Sequence, residues 1–384
     1  MPNRATMLLG RDTPTRGYKA EQPMRHGRIR AGMRAPRQVA KRAVRSCLYP
    51  RWPAPASLID GYTLVLPLPG DLPVFLELAL AALRSQEPAG RVETVVVPDG
   101  ITHEFLATYE RATARFDWGP IRLVEIGRRG KALQRTKNGP WNKASSHLNH
   151  FLQIYHGAAA ARTTHAILHD ADLFLTDLRF LTDRFQACSD GGFACLGVER
   201  RFDDWYELNG LGPVLATWEL VFDVRWLRGF PPWQISGQSA RVGDVEKKFD
   251  TMDYVQLRAP ANRRALHEMP DGYVHFNWAI THYRLFQESA GGPFTDGHFL
   301  ILLMRLLSDA FGQTDSSRHL PSIAELVRGI DDAGARVNYR GEGIEERYAK
   351  FRRQITQVIE GPAVDAGQAS DITHSLSPFD AAFG

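Results

Sequence analysis

His165-Ala166-Ile167-Leu168-His169-Asp170-Ala171-Asp172-Leu173-Phe174-Leu175 is a short apolar run that turns acidic and then apolar again. Its first five residues read as a strand, too short for a helix of its own. Asp170 and Asp172 then stand at the carboxyl end of that strand, where ligands collect in open α/β sheets. Two carboxylates so placed repel unless a divalent cation neutralises them. A hard ion such as Mg2+ or Mn2+ takes carboxylate oxygens from a protein and phosphate oxygens from a nucleotide. Ala171 keeps bulk away from such an ion. The same residues could also do no more than open a turn at Asp170 and cap the next segment with Asp172.

Upstream, strand and helix patterns alternate. Tyr62 to Pro67 is strand-like and is stopped by Pro69 and Gly70, and Pro73 to Ser85 carries one apolar helical face. Glu93 to Pro98 is a second strand ending in Asp99-Gly100. A helical stretch from Glu104 to Phe116, a third strand from Ile121 to Ile126 and a helix from Lys143 to Ala161 follow. Such alternation predicts right-handed crossovers and a mostly parallel α/β sheet. Phe193 to Val198 and Trp218 to Val224 read as further strands, and Gly297 to Phe311 and Glu342 to Ile359 as C-terminal helices.

In order and spacing, the stretch from Leu64 to Leu175 resembles the nucleotide-binding half of the family 2 and related GT-A glycosyltransferases. Four pieces carry the resemblance: Leu64-Val65-Leu66-Pro67, Val95-Val96-Val97-Pro98-Asp99-Gly100, Asn138-Gly139-Pro140-Trp141-Asn142-Lys143-Ala144, and the strand into Asp170-Ala171-Asp172. The resemblance implies a donor site built from Pro67, Asp99, Asn142, Lys143 and Asp170, with Asp99 towards the nucleoside and Lys143 towards the diphosphate. A solvated helix-face lysine is the other reading of Lys143. The first turn, Pro67-Leu68-Pro69-Gly70, departs from the Pro-x-Tyr-Asn of many relatives, which leaves the base open.

Relatives place an acidic residue at the start of a later helix, facing the acceptor hydroxyl, where an inverting transfer needs a general base. Asp250 is the expected base, with Asp253, Glu246 and Asp244 behind it; Asp250-Thr251 is also an ordinary helix N-cap. Many such enzymes return a late histidine to the metal. Tyr273 to His275 resembles that strand, so His275 is the expected third ligand, ahead of His282. His165 and His169 have the i, i+4 spacing of a helical zinc site but lie in a strand, where four residues span about 13 Å, and that pairing is rejected. The loop from Glu199 to Tyr206, rich in Arg, acid and aromatic groups, could line an acceptor cleft or be plain surface.

Charge separates the chain into parts. Residues 1–50 hold 12 Lys plus Arg against 2 acids, although the whole chain of 384 residues carries only +4. The body is therefore net acidic, which excludes a general nucleic-acid-binding surface on it. The basic part is expected to be a largely disordered arm (1–55). Within it, the pattern of residues 36–49 predicts an amphipathic helix suited to an anionic membrane surface, with docking onto the catalytic domain or a disordered basic tail as the other readings, and Tyr49 to Pro55 reads as a stiff linker. The remaining expectations are a glycosyltransferase domain at 58–290, a helical extension at 291–360 and a loose tail at 361–384. Three cysteines without metal spacing, and no apolar signal core, predict a reducing, cytoplasmic setting, peripheral at the inner face of the membrane if the arm binds it.

The function so implied is transfer of a hexosyl-type sugar from a nucleotide-diphosphate sugar to the hydroxyl of a glycan or lipid-linked acceptor. It is expected to depend on Mn2+ or Mg2+ and to invert. Two alternatives are a non-catalytic nucleotide- or carbohydrate-binding protein of the same fold and a sugar-1-phosphate nucleotidyltransferase. The latter needs a Gly-rich basic loop that Pro67 to Gly70 does not supply.

Overall fold

The computed structural model describes residues 49–54, 57–115, 119–137, 146–201, 205–242, 245–288, 298–312, 316–328 and 343–384. The strands are β1 (Ile59–Leu68), β2 (Arg91–Pro98), β3 (Ile121–Leu123), β4 (Thr163–His169), β5 (Leu173–Leu175), β6 (Cys195–Gly197), β7 (Glu219–Asp223), β8 (Gln238–Val242), β9 (Val245–Phe249), β10 (Arg264–Leu266) and β11 (Tyr273–His275). Seven of them form one sheet in the order β10-β6-β7-β4-β1-β2-β3. All neighbours pair in parallel except at β7, which runs antiparallel to both β4 and β6. This is the mostly parallel α/β sheet with C-terminal helical additions that the alternation of strands and helices predicts.

Alternation along β1 sets the two layers. Leu64 and Leu66 enter one apolar core and Val65 the other, as expected for a strand buried on both faces. The Pro73–Leu83 helix covers the first side and the Ser146–Ala160 helix the second. A Cβ on Gly157 would meet Val65 Cγ1 at 2.3 Å, so only glycine lets this helix lie so close to the sheet. The close seating carries the carboxyl end of the β4 strand, with Asp170, up beside the amino-terminal half of that helix, where His150 stands.

Two expectations need correction. Residues 361–384 are not loose: Ala366–Phe383 is a helix, N-capped by Asp365, with Ile372, Leu376 and Phe379 in the core. Those three recur at helical spacing, and the surrounding Ala, Ser and Gly concealed them. This helix packs with Ile344–Glu360 and His298–Ala310, where Phe299 stacks on Phe351 at 5.5 Å and the Tyr348 hydroxyl donates to Asp380 at 2.8 Å.

The end of the arm is not a free linker either. Tyr49 is buried against Phe151 and its hydroxyl pairs with Ser236 at 2.9 Å. Trp52 packs on Tyr155 and donates to the carbonyl of Phe230. Aromatic anchors override the local stiffness of the prolines. The rest of the arm, including residues 36–48, lies outside the described residues. No helix of the described residues is long and apolar enough to cross a membrane.

Candidate metal and nucleotide site

The β4 strand ends because its backbone is handed to a turn. The Asp170 amide donates to the carbonyl of Trp218 at 2.9 Å, and the Leu173 amide reaches back to the Asp170 carbonyl at 3.3 Å. That turn starts β5, which pairs antiparallel with β11 in the register Leu173 to His275. A histidine more than 100 residues downstream is thereby set beside Asp172, with Nε2 3.4 Å from Asp172 Oδ1. The Trp218 ring packs against His275, with centroids 4.4 Å apart and the planes tilted by 35°. Ligand atoms of Asp170, Asp172 and His275 all lie within 4.8 Å of one another, the one such group of three among the described residues.

The electrostatics fit a cation. The carboxyl of Asp170 is pushed well above its ordinary range, first by desolvation and then by the like charges of Asp172 and Glu219. Although 28% of its side-chain surface is open, the surrounding protein still strips most of its water. A hard divalent ion with two carboxylates and an imidazole would relieve that repulsion. Asp172 is also fixed from behind, its Oδ2 accepting the Ala279 amide at 3.2 Å.

Beneath this cluster lies a second set of charges. Glu219 accepts from His169 Nδ1 at 2.7 Å and from the Arg184 guanidinium, and Arg184 and Glu219 are fully buried. His169 Nε2 has no partner among the described residues. The rejected His165–His169 zinc pairing is replaced by these contacts: His169 serves Glu219, while His165 pairs with Thr164 and packs on Phe185.

At the ends of β1 and β2 the expected nucleoside corner is closed by hydrogen bonds. Asp99 accepts from the Gly70 amide at 3.2 Å and from Asn149 at 3.1 Å, and Gln134 holds Asn149 in turn at 3.0 Å. Burial raises the Asp99 carboxyl, and the Gly70 amide opposes that rise. Pro67 lies buried in β1, paired with Val97. A Cβ on Gly70 would meet the Gly100 carbonyl at 2.2 Å, so the two turns touch only because residue 70 is glycine. Arg284 grips Asp71 through two bonds of 2.8 Å and ties the Ala279–Glu288 helix across the same corner. Asn142 and Lys143 fall outside the described residues.

Asp250 occupies another polar cluster. Arg201 donates to its Oδ2 at 2.8 Å, and the Thr251 amide to its Oδ1 at 2.7 Å. Asp253 accepts from the Asp250 amide and the Tyr206 hydroxyl, and burial pushes its carboxyl up to about 6. The helix Asp253–Arg258 is capped by Met252, in a left-handed conformation at φ 66°, so Asp250 is not its N-cap residue. Asp244 and the Glu246 side chain lie outside the described residues. His282 sits in the Ala279–Glu288 helix and takes no part in the metal-type cluster. Glu199, by contrast, lies within the field of His275, which offsets part of the rise that burial imposes on its carboxyl.

Sequence reading missed Trp218, Glu219, Arg184 and the Ala279 amide. Glu219 opens the strand Glu219–Asp223 just before its apolar run Leu220-Val221-Phe222, and an acid at that point was the one available signal.

No protein-family model matches the sequence, and no curated protein matches it. Solved structures of similar shape include the mannosyltransferase of Pyrobaculum calidifontis in complex with GDP-Man and Mn2+, at 15% identity, covering 92% of this chain and 95% of that one, with a TM-score of 0.37. Glucosyl-3-phosphoglycerate synthase from Mycobacterium tuberculosis with Mn2+ and UDP-glucose shares 14% identity over 62% of this chain and 81% of that one, TM-score 0.36. Core-mannan synthase A of Aspergillus fumigatus in an Mn/GDP form shares 12% over 58% and 77%, TM-score 0.37. Likeness at this level carries neither substrate nor mechanism across, so function has to be read from the chain's own residues.

Proposed function

We propose that this chain is a divalent-metal-dependent glycosyltransferase that moves a sugar from a nucleotide-diphosphate sugar to an acceptor hydroxyl. The observation that supports it is the convergence of Asp170, Asp172 and His275 at the carboxyl end of β4. Those three residues would hold Mn2+ or Mg2+, and the ion when bound would neutralise charge on the leaving diphosphate. Trp218 keeps the His275 ring in place, and the Ala279 amide keeps Asp172 in place.

In this reading the donor lies across the ends of β1, β2 and β4. Both Asp99 oxygens already serve Gly70 and Asn149. Asp99 therefore shapes the nucleoside corner and would use a remaining lone pair towards the ligand, with Asn142 and Lys143 on the segment before the helix. Asp250 takes the acceptor proton in an inverting transfer, its carboxylate positioned by Arg201. Glu199, within the field of His275, is the second carboxylate we propose for that role. The transferase domain spans about residues 58–290, the acceptor is a glycan or lipid-linked sugar, and the protein works in the cytoplasm. The nucleotidyltransferase alternative is weakened by the β1 turn, where Asp71, bound to Arg284, stands in place of a phosphate-binding base.

Calorimetry with UDP and with GDP, in Mn2+ and in EDTA, tests the reading. Binding that requires the metal is expected for one of them. No binding in either condition would leave only the fold.

A further inference from the structure

Two residues other than glycine have positive φ among the described residues, Met252 and Trp278. Met252 is fully buried in the turn that holds Asp250 and Asp253. Trp278, at φ 76°, is the opposite case, with 65% of its surface exposed. It is the only exposed Phe, Tyr or Trp among the described residues.

Nothing in the local fold calls for tryptophan there. Glycine would take the left-handed conformation without strain, and asparagine would tolerate it better than a bulky ring. The Trp278 carbonyl accepts the first bond of the following helix, from His282 at 2.9 Å. Ser, Thr, Asp or Asn would cap that helix start with a side chain, and tryptophan has no acceptor to offer. Its ring is not in the core. Strain of this kind persists only when the surroundings impose it, and it concentrates at functional sites.

The surroundings that impose it are the metal-type site itself. Asp172 accepts the Phe276 amide through its carbonyl at 3.0 Å and the Ala279 amide through Oδ2 at 3.2 Å, one on each side of Trp278. The Trp278 carbonyl carbon is bonded to that Ala279 nitrogen, which puts it within about 4.5 Å of the Asp172 carboxylate. The helix that begins here runs away from this point towards Asp71 at the end of β1, where the donor's nucleoside would lie. Trp278 is at the other end of the helix, on the β4 side of the cluster.

We infer that Trp278 is an aromatic platform for the pyranose ring of the acceptor. An indole face offers a flat apolar surface to the C–H face of a sugar, whose hydroxyls stay hydrogen-bonded at its edge. An exposed ring carried on backbone that borders the Asp172 carboxylate has the right chemistry and place for a sugar accepting the transfer. The inference rests on the glycosyltransferase reading for the word acceptor. The ring's affinity for a glycoside does not.

The test is saturation-transfer NMR with methyl α- and β-glucosides, galactosides and mannosides and their disaccharides, in Mg2+ with UDP or GDP. At least one glycoside should receive saturation, strongest on the protons of one ring face. Trp278→Ala should weaken its binding about ten-fold or more, and Trp278→Tyr should keep most of it. Nucleotide binding by the Ala variant, followed by calorimetry, should stay within about two-fold of wild type. Wild type that binds no glycoside, or an Ala variant that binds it as wild type does, overturns the platform. So does an Ala variant that loses nucleotide as well, because Trp278 would then only brace Asp172. If glycoside binding depends on Trp278 but no nucleotide diphosphate binds, the platform stands and the transferase reading fails.

Discussion

Oδ1 of Asp172 lies 3.4 Å from Nε2 of His275, across the seam between β5 and β11. The other oxygen of the same carboxylate accepts the Ala279 amide. Asp172 thus faces the proposed cation on one side and anchors a helix on the other. Replacing it mixes two effects, whereas Asp170 offers the cleaner test.

Asp170→Asn should therefore abolish the gain in nucleotide diphosphate affinity that Mn2+ confers, by about ten-fold or more, and leave binding in EDTA unchanged. Asp172→Ala should lose the same metal effect and also about 1–2 kcal/mol of stability, since the Ala279 amide is left without its acceptor. Calorimetry and denaturant melts of both variants separate these outcomes. A metal effect that survives Asp170→Asn removes this aspartate from the site.

The raised carboxyl of Asp170 also predicts how stability varies with pH. Between the ordinary carboxylate range and its raised value, the folded state holds more protons than the unfolded state. Across that window stability falls as pH rises. In EDTA at pH 7.5, Asp170→Asn should melt above wild type by about 2 °C or more. The gap should shrink as pH is lowered towards 5. Excess Mn2+ at pH 7.5 should close it by stabilising wild type alone. A gap that widens on acidification contradicts the sign.

Base catalysis is tested at two positions. Asp250→Asn should lower transfer by about 10²-fold and keep metal-dependent nucleotide binding. Glu199→Gln should have the smaller effect. The reverse ranking in single-turnover transfer assays would assign the proton to Glu199 and leave Asp250 as the partner of Arg201.

Arg184 and Glu219 are both fully buried. Glu219→Gln leaves the guanidinium without its counter-charge, so a loss of about 3–5 kcal/mol is expected in urea melts. The double variant Arg184→Met with Glu219→Leu should recover part of that loss, since no charge then stays buried. A single variant as stable as wild type would mean that water reaches Arg184.

For the basic arm, we propose that residues 36–49 bind an anionic membrane, each basic side chain near the surface contributing about 1 kcal/mol. Full-length protein should co-sediment with phosphatidylserine vesicles and Δ1–48 protein should not. The shorter deletion spares Tyr49 and Trp52, which anchor to the body. Equal, negligible sedimentation by both ends the idea.

Several features were legible in the residues alone because they are local. Apolar runs at strand length, interrupted by proline and glycine, were enough to set out β1, β2 and β4. The switch from Leu168 to Asp170 placed two acids at a strand end, and the helices His298–Ala310 and Ile344–Glu360 followed from their periodicity. His275 was reached only through resemblance, since a three-residue strand, Tyr273–His275, carries little pattern of its own. The helix Ala366–Phe383 and the docking of Tyr49 and Trp52 were misread, because composition was weighed above the spacing of a few anchoring side chains.

By itself, then, the sequence determined the class of sheet, the acidic strand end and the separation of a basic arm from an acidic body. Each follows from which neighbouring residues share a face or a charge, and that is set within a few turns of chain. Only the tertiary structure decided that His275 meets Asp172, that Trp218 and Glu219 stand beside them, and that Asp250 is held by Arg201. These contacts join residues about 50 to 100 positions apart, and pairing register, burial and charge compensation bring them together. None of those is encoded in any one stretch.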